Sequence, residues 1–446
     1  MTDTHVTDPH RPLDADERAL VDRIAERRED LIVLACELVA LDTTSRAVPD
    51  QPARDEAALQ RLLADRLRAH GAEIDLWEPS PDEVADHPLT PPGGIDFDGR
   101  PQLAARLRGS GGGRSLLLNG HIDVVPARRE DGWEHDPFDP QVVDGQIIGR
   151  GACDMKGGIA AMVIAAEALA ETGGLRGDLV VCTNTDEEST GVGGLACARH
   201  GVSADYAIVT EPSSLEVWPV CRGSVYCTVT VEGRAGHAEE EHPHWTEGGA
   251  VNAIEKARFL LDGVDRLRRE WRSRRGLHHS LADPPDVLAT RFVADGGWHV
   301  TIPGRAELEL AVLIVPAQAD PDGWTKGVQR EVEDHLRAWC RTDSWLAEHP
   351  PAFRWHTEVN PAETPVDAPV VQTLLGANRA LGLPERLGAL GSWYDGATYA
   401  LEADTPAIMF GPRAIERAHT VGEAVPIDDL VHVAQSIAVA AWRLCR

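Results

Sequence analysis

In the first part of the chain, apolar residues recur at Leu20, Ile24, Leu31, Leu34 and Leu38, and charged residues fill the gaps. This spacing puts the apolar side chains on one stripe, so residues 13–41 are predicted to be helical. A second helix is predicted over 55–70, stopped by Gly71, with a strand over 74–77. Residues 80–100 are rich in Pro, Asp and Gly and read as a surface loop. Strands are predicted over 103–107 and 115–119, with Gly109-Ser110-Gly111-Gly112-Gly113 as a hairpin turn between them. That glycine run ends in Arg114-Ser115 and lacks the Gly-Lys-Ser/Thr of a phosphate loop. Predicted helices at 158–172 and 195–200 alternate with near-continuous apolar strands at 178–184 and 206–210. Buried strands alternating with helices imply an α/β layer with a mainly parallel core sheet.

The pattern changes after Val220. An alternating, half-exposed strand at 225–231 precedes a helix at 249–267, strands at 287–293 and 306–315, a helix at 320–341 and a strand at 353–358. This β-α-β-β-α-β order is the ferredoxin-like split motif. The chain then returns to α/β character, with a helix at 368–381, a strand at 405–410 and a final helix at 427–444. The expectation is a mainly parallel-sheet α/β domain, from 1–221 and 361–446, interrupted by a ferredoxin-like α+β domain at 222–360. The length of 446 residues exceeds what one compact core usually serves.

Charge narrows the range of partners. Asp+Glu outnumber Lys+Arg by 72 to 43, a formal charge of -29. Nucleic acid and anionic membrane both require a basic face and are excluded as partners. The segment Met1 to Arg11 is polar, without the apolar core of a signal peptide, and is expected to be a loose tail. The longest apolar stretch, 159–170, is too short to span a bilayer and contains Glu167. A cytoplasmic location is expected. The eight cysteines are scattered without a C-x-x-C pair, so reduced, buried thiols are expected.

Five short motifs carry the chemistry. Asn119-Gly120-His121-Ile122-Asp123 ends a predicted strand, where ligands of open α/β sheets gather. His121 is a natural zinc ligand, and Asp123 can accept the other imidazole N–H and so fix the tautomer. Gly149-Arg150-Gly151-Ala152-Cys153-Asp154-Met155-Lys156-Gly157-Gly158 allows tight turns before a helix, with Asp154 either a ligand or a helix cap. Thr185-Asp186-Glu187-Glu188-Ser189 directly follows a buried strand, so one glutamate can bind metal while its neighbour works as a base. Glu211-Pro212-Ser213-Ser214 again ends a buried strand, and Ala418-His419-Thr420-Val421-Gly422-Glu423 comes late in the chain. Each motif alone is ambiguous. Together they supply imidazoles and carboxylates suited to zinc, in numbers that allow a two-metal site.

In order and spacing the five motifs resemble the dinuclear zinc deacylase and carboxypeptidase family. It contains acetylornithine deacetylase, succinyl-diaminopimelate desuccinylase, aminoacylase and glutamate carboxypeptidase. The resemblance runs from about Leu31 to the C-terminus. It implies two Zn(2+) per subunit, replaceable by Co(2+), with His121 and Glu211 on one ion, Glu188 and His419 on the other, and Asp154 bridging both. It also implies that Glu187 is the general base, that Asp123 orients His121, and that the Asp154–Met155 peptide bond is cis. In Gly233-Arg234-Ala235-Gly236-His237-Ala238, His237 matches a lid histidine that crosses a dimer interface to polarise the scissile carbonyl. The inserted domain is then a lid and dimerisation domain, and the protein a homodimer.

The implied function is metal-dependent hydrolysis of an amide, removing an acetyl, formyl or similar acyl group from a small amine or amino acid by metal-activated water. A metallo-dipeptidase or carboxypeptidase is the alternative within the class. A catalytically inactive metal- or ligand-binding homologue is the alternative outside it, and Glu187 beside Glu188 counts against that. A dinucleotide-binding oxidoreductase rests only on glycine-rich turns. One departure bears on the substrate. Many relatives place an arginine, which grips a substrate carboxylate, on the strand after the lid's Val-Ile-Pro. Here His299-Val300-Thr301-Ile302-Pro303-Gly304 leads into Leu310-Ala311-Val312-Leu313-Ile314-Val315 without it. A subset of the family, including deformylases acting on an aminopyrimidine, lacks this arginine too. The candidate substrate-binding residues are His299, Arg305 and Asp395.

Overall fold

The computed structural model describes residues 11–45 and 53–446. Most of the tail expected at the N-terminus, residues 1–10, lies outside them. The chain forms two compact units. One comprises the chain up to Val220, then Glu363–Leu390 and Tyr394–Arg446, and the other comprises Cys221–Ala362 with Gly391–Trp393.

The first unit is built on a nine-stranded sheet. Leu116–His121 and Leu179–Asn184 are buried at every position, which is why their sequences are near-continuously apolar. Leu116–His121 lies between Leu179–Asn184 and Tyr206–Val209 and runs parallel to both. Ala407–Met409 adds a further parallel strand beside Tyr206–Val209. Gln102–Leu107 and Glu73–Trp77 extend the other side antiparallel. The fold is thus α/β with a mainly parallel core, as the sequence predicts.

The helices Gly157–Thr172 and Ile427–Cys445 are buried along nearly their whole length and share one core with Leu20, Ile24, Leu31, Leu34 and Leu38. Full burial of each such side chain stabilises the fold by about 1.5–3 kcal/mol. The helix predicted over 13–41 is two helices, Ala15–Glu26 and Arg28–Val39, with Arg27 between them at φ -90° and ψ 16°. The Arg27 guanidinium reaches the buried Glu167 carboxylate, and Arg66 meets the same group at 2.6 Å. Both halves still turn their apolar stripes to one core, so periodicity alone does not reveal the break.

The predicted hairpin around Gly109–Gly113 does not form. Leu179–Asn184 lies between Gln102–Leu107 and Leu116–His121, and the glycine-rich segment crosses its end. A Cβ on Gly109 would collide with the Arg176 and Gly177 carbonyl oxygens, and one on Gly113 with that of Cys445. The glycines serve close backbone packing rather than a two-strand turn.

The second unit has the antiparallel strand order Asp286–Ala294, Arg305–Ile314, Gly223–Glu232, Ala352–Val359. Val225, Cys227, Val229 and Val231 alternate inward and pack with Leu260, Leu267 and Trp271 of Ala253–Ser273 and with Val332 and Leu336 of Lys326–Cys340. Asn252 caps the first of these helices by accepting the Ile254 N–H at 3.0 Å. All eight cysteines are unbridged. Among the described residues, no helix is long and apolar enough to cross a membrane.

Candidate metal centre

Three neighbouring parallel strands end at the same edge of the sheet and deliver the polar residues there. His121 closes Leu116–His121, Glu187 and Glu188 follow Leu179–Asn184, and Glu211 follows Tyr206–Val209. Asp154 stands in the irregular segment before Gly157–Thr172, and its peptide bond to Met155 is cis. Gly158 lets that helix start against Thr210, the residue before Glu211, because a Cβ there would collide with the Thr210 carbonyl oxygen. His419 is supplied by the loop ahead of Ala424–Pro426, at φ 60°.

These side chains converge around Asp154. Its Oδ1 lies 3.1 Å from His121 Nε2, and its Oδ2 lies 3.2 Å from His419 Nε2. Glu211 Oε1 is 3.3 Å from His121 Nε2, and Glu188 Oε2 is 3.1 Å from His419 Nε2. Two half-sites therefore share one carboxylate: His121, Glu211 and Asp154 on one side, and His419, Glu188 and Asp154 on the other. Ligand atoms of His121, Asp154 and Glu188 all lie within 4.8 Å of one another. Glu187 Oε2 stands 4.0 Å from His121 Nε2, at the edge of the first half-site.

The tautomer of His121 is fixed from behind. Its Nδ1–H donates to the main-chain carbonyl of Asp123 at 2.9 Å, which leaves the Nε2 lone pair facing Asp154 and Glu211. The expectation that the Asp123 carboxylate receives this proton is corrected by the geometry, since Asp123 Oδ1 is 3.7 Å from Nδ1. That carboxylate instead accepts the main-chain N–H groups of Glu187 at 3.1 Å and Glu188 at 3.2 Å, and the Ser45 hydroxyl. It holds the loop carrying both glutamates.

The electrostatics test the fit of metal ions. Burial raises the Glu211 pKa to about 8, His121 opposes the rise, and Asp154 adds to it. Burial likewise pushes Glu187 well above the usual carboxylate range, and raises Glu188. Hydrogen bonds to Asp154 and Glu188 raise His419 to about 10. Burial alone would lower His121, but Glu211, Asp154 and Glu187 take it well above its ordinary value. Four largely buried carboxylates face the buried His121 and the exposed His419, and once their protons are displaced they carry a negative charge that two divalent cations would balance. Oxygen and nitrogen donors in this mix suit zinc-class metals.

Residues 117–443 match the model of peptidase family M20/M25/M40. The chain belongs to this family. It is 28% identical over 444 residues to an N-formyl-4-amino-5-aminomethyl-2-methylpyrimidine deformylase of Halalkalibacterium halodurans, covering 96% of this chain and 97% of that one. It is 28% identical over 423 residues to a succinyl-diaminopimelate desuccinylase of Xanthomonas oryzae pv. oryzae, covering 90% and 95% respectively. A tripeptidase structure from Staphylococcus aureus superposes with a TM-score of 0.70 at 18% identity, over 94% of this chain and 99% of the other. That likeness extends the fold match to nearly the whole chain.

The other residues singled out in the sequence stand outside the ligand cluster, although Asp395 is near enough for its charge to raise Glu187. Asp395 is buried at the start of Asp395–Glu402 and accepts the Asn184 side-chain N–H at 2.6 Å. Burial raises its pKa to about 7, with the Asn184 hydrogen bond opposing. His237, His299 and Arg305 belong to the second unit. Gly236–His237 pairs with Thr301–Ile302, which brings the exposed His237 and His299 to one ribbon. Arg305 is exposed and paired with Glu307 at 2.7 Å.

The structure adds residues to which the sequence reading gives no role. Asp186, at φ 68°, turns the chain between the strand and Glu187. Its carboxylate is held by Arg100 at 3.2 Å and by Thr190, and Arg100 also meets Glu56 at 3.1 Å. Arg100 is fully buried, yet it comes from the Pro- and Gly-rich loop, where no local signal marks it. Glu423 and Arg150 sit inside the quoted motifs and pair with each other.

Proposed function

We propose that this M20-family chain is a dinuclear-metal amidohydrolase that removes a small N-acyl group, formyl foremost, from an amine. The reading is carried by Asp154, whose two oxygens face His121 and His419 while Glu187 stands free at the edge of the cluster. His121, Asp154 and Glu211 would hold one ion, and Asp154, Glu188 and His419 the other, with zinc native and cobalt able to substitute. Bound there, the ions supply Lewis-acid polarisation of the amide carbonyl and make a water more acidic. Glu187 takes a proton from the attacking water on a carboxylate oxygen and returns it to the leaving nitrogen as the carbon–nitrogen bond breaks. Asp123 keeps Glu187 and Glu188 aimed by binding their main-chain N–H groups.

The likeness to the deformylase over nearly the whole of both chains supports the formyl group and an amine without a carboxylate. The strand Arg305–Ile314 supports the same choice, since its only cation is Arg305, which is exposed and already paired. The proposal extends to a cytoplasmic homodimer formed through the inserted unit, with His237 donating to the developing oxyanion in the partner subunit. Mixing Glu187→Gln and His237→Ala subunits then restores activity in hybrid dimers, and no recovery despite proven exchange removes that role.

A mass-spectrometric screen of the zinc-loaded protein against N-formyl, N-acetyl and N-succinyl amines and a dipeptide panel tests the function. Preferred release of formate from N-formyl amines is expected. Faster cleavage of dipeptides would place the chain with the peptidases instead.

A further inference from the structure

Glu423 follows His419 by four residues and lies just before Ala424–Pro426, a strand paired antiparallel with Gln146–Ile148. Its side chain is 1% exposed. Oε1 accepts two successive main-chain N–H groups, from Cys153 at 2.9 Å and Asp154 at 3.0 Å. Oε2 meets the Arg150 guanidinium, itself nearly buried beside the Trp133 ring. The Glu423 main-chain carbonyl accepts the Gly149 N–H at 3.0 Å. One residue therefore grips the Gly149–Asp154 segment at both ends.

That segment needs such a partner. Asp154 and Met155 have the non-helical angles φ -121°, ψ 94° and φ -131°, ψ 28°. An unmatched buried N–H is costly, so an acceptor placed here selects one backbone course. The same course sets where the Asp154 carboxylate points.

The geometry points to Glu423, backed by Arg150, as the positioning residue that aims the bridging carboxylate of Asp154 and ties it to the His419 loop. This rests on the two-metal reading above. It carries a signature that a merely stabilising contact does not. Asp154 faces both half-sites, so a shift of its main chain loosens both ions together. The Asp123 carboxylate, in contrast, binds the main-chain N–H groups of Glu187 and Glu188, of which only Glu188 is a proposed ligand.

The test is Co(II) titration of the metal-free full chain, followed by calorimetry and by visible absorption of the bound ion. Glu423→Ala should weaken both Co(II) equivalents by about 10–100-fold, the usual loss when a partner behind a ligand is removed. Its Co(II) spectrum should also change. Glu423→Gln keeps an oxygen that accepts both N–H groups but sets its amide N–H against the Arg150 guanidinium, so it should recover part of the lost affinity, as should Arg150→Met, which keeps both N–H bonds. Wild-type affinity and spectrum in Glu423→Ala would overturn the proposal, as would loss of one equivalent alone. Equal damage in Glu423→Gln would also overturn it, because the N–H bonds would then not be the cause. If Glu423→Ala does not fold by circular dichroism, Arg150→Met decides, and unchanged affinity for both equivalents there counts against the proposal. A wild-type chain that takes up fewer than two Co(II) would instead overturn the two-metal reading itself.

Discussion

Replacing Glu211 by Gln should move the stability of the metal-free and the metal-loaded protein in opposite directions. Glu211 Oε1 lies 3.3 Å from His121 Nε2, and burial raises the Glu211 pKa from 4.5 to about 8. Between those values the folded metal-free chain holds a proton that the unfolded chain releases. Stability therefore falls as pH rises through that window, and the loss is complete above about pH 8. At about 1.4 kcal/mol per unit, the shift corresponds to a loss on the order of 5 kcal/mol. His419 adds to the trend, because its pKa of about 10 gives stability that is present below its unfolded value and lost as pH rises through 10. Gln cannot ionise, so metal-free Glu211→Gln should melt about 5 °C above metal-free wild type at pH 8.5. At pH 4 the two should differ little. With zinc in excess the order reverses, because the amide is a poor substitute for a carboxylate ligand and binding no longer stabilises the folded state as strongly. Scanning calorimetry at pH 4, 7 and 8.5, with chelator and with zinc, reads both arms. Lower melting of the variant in both arms, or a metal-free wild type whose stability does not fall with pH, would refute the electrostatic argument.

Glu187→Gln should lower kcat by at least about a hundredfold, while elemental analysis still finds two metals per chain; loss of a full equivalent would make Glu187 a ligand instead. Arg305→Ala should leave kcat/KM within about threefold, since the guanidinium is exposed and paired with Glu307, and a hundredfold collapse would mean that it grips substrate. Burial would raise the Asp30 pKa, but hydrogen bonds from Arg66 at 2.7 Å and Arg27 at 2.6 Å hold it below its usual value. Its stabilising contribution is therefore present above about pH 4 and lost as pH falls further, so the melting difference between wild type and Asp30→Asn should shrink from pH 7 to pH 3. A constant difference across that range would show that the ion pairs contribute nothing.

His121, Glu187, Glu188 and Glu211 were legible because each ends or follows an apolar strand, and Asp154 because it precedes a glycine-rich helix start, whereas His419 lies in a loop and was legible only through the motif order of the family. Strand order was less legible. The Gly109–Gly113 segment satisfies a hairpin and a crossing connection equally well, and only the pairing of Leu179–Asn184 with both neighbours decides between them. The break at Arg27 escapes periodicity because seven residues separate Ile24 from Leu31 whether or not the helix is interrupted. Asp123 illustrates a finer limit. Sequence places a carboxylate two residues after His121, but only the folded chain shows that the carbonyl accepts the imidazole N–H while the carboxylate holds the Glu187–Glu188 loop. Arg100, Glu56 and Asp186 act through a buried network assembled from three distant segments, and no local pattern encodes it.

The central claim is that Asp154 joins two metal positions. Anomalous diffraction at the zinc edge, from crystals of the zinc-loaded chain, tests it most directly. Two peaks about 3.5–4 Å apart are predicted, one beside His121 and Glu211, the other beside His419 and Glu188, with one oxygen of Asp154 directed at each. A single peak, or two peaks that Asp154 does not bridge, would contradict the account.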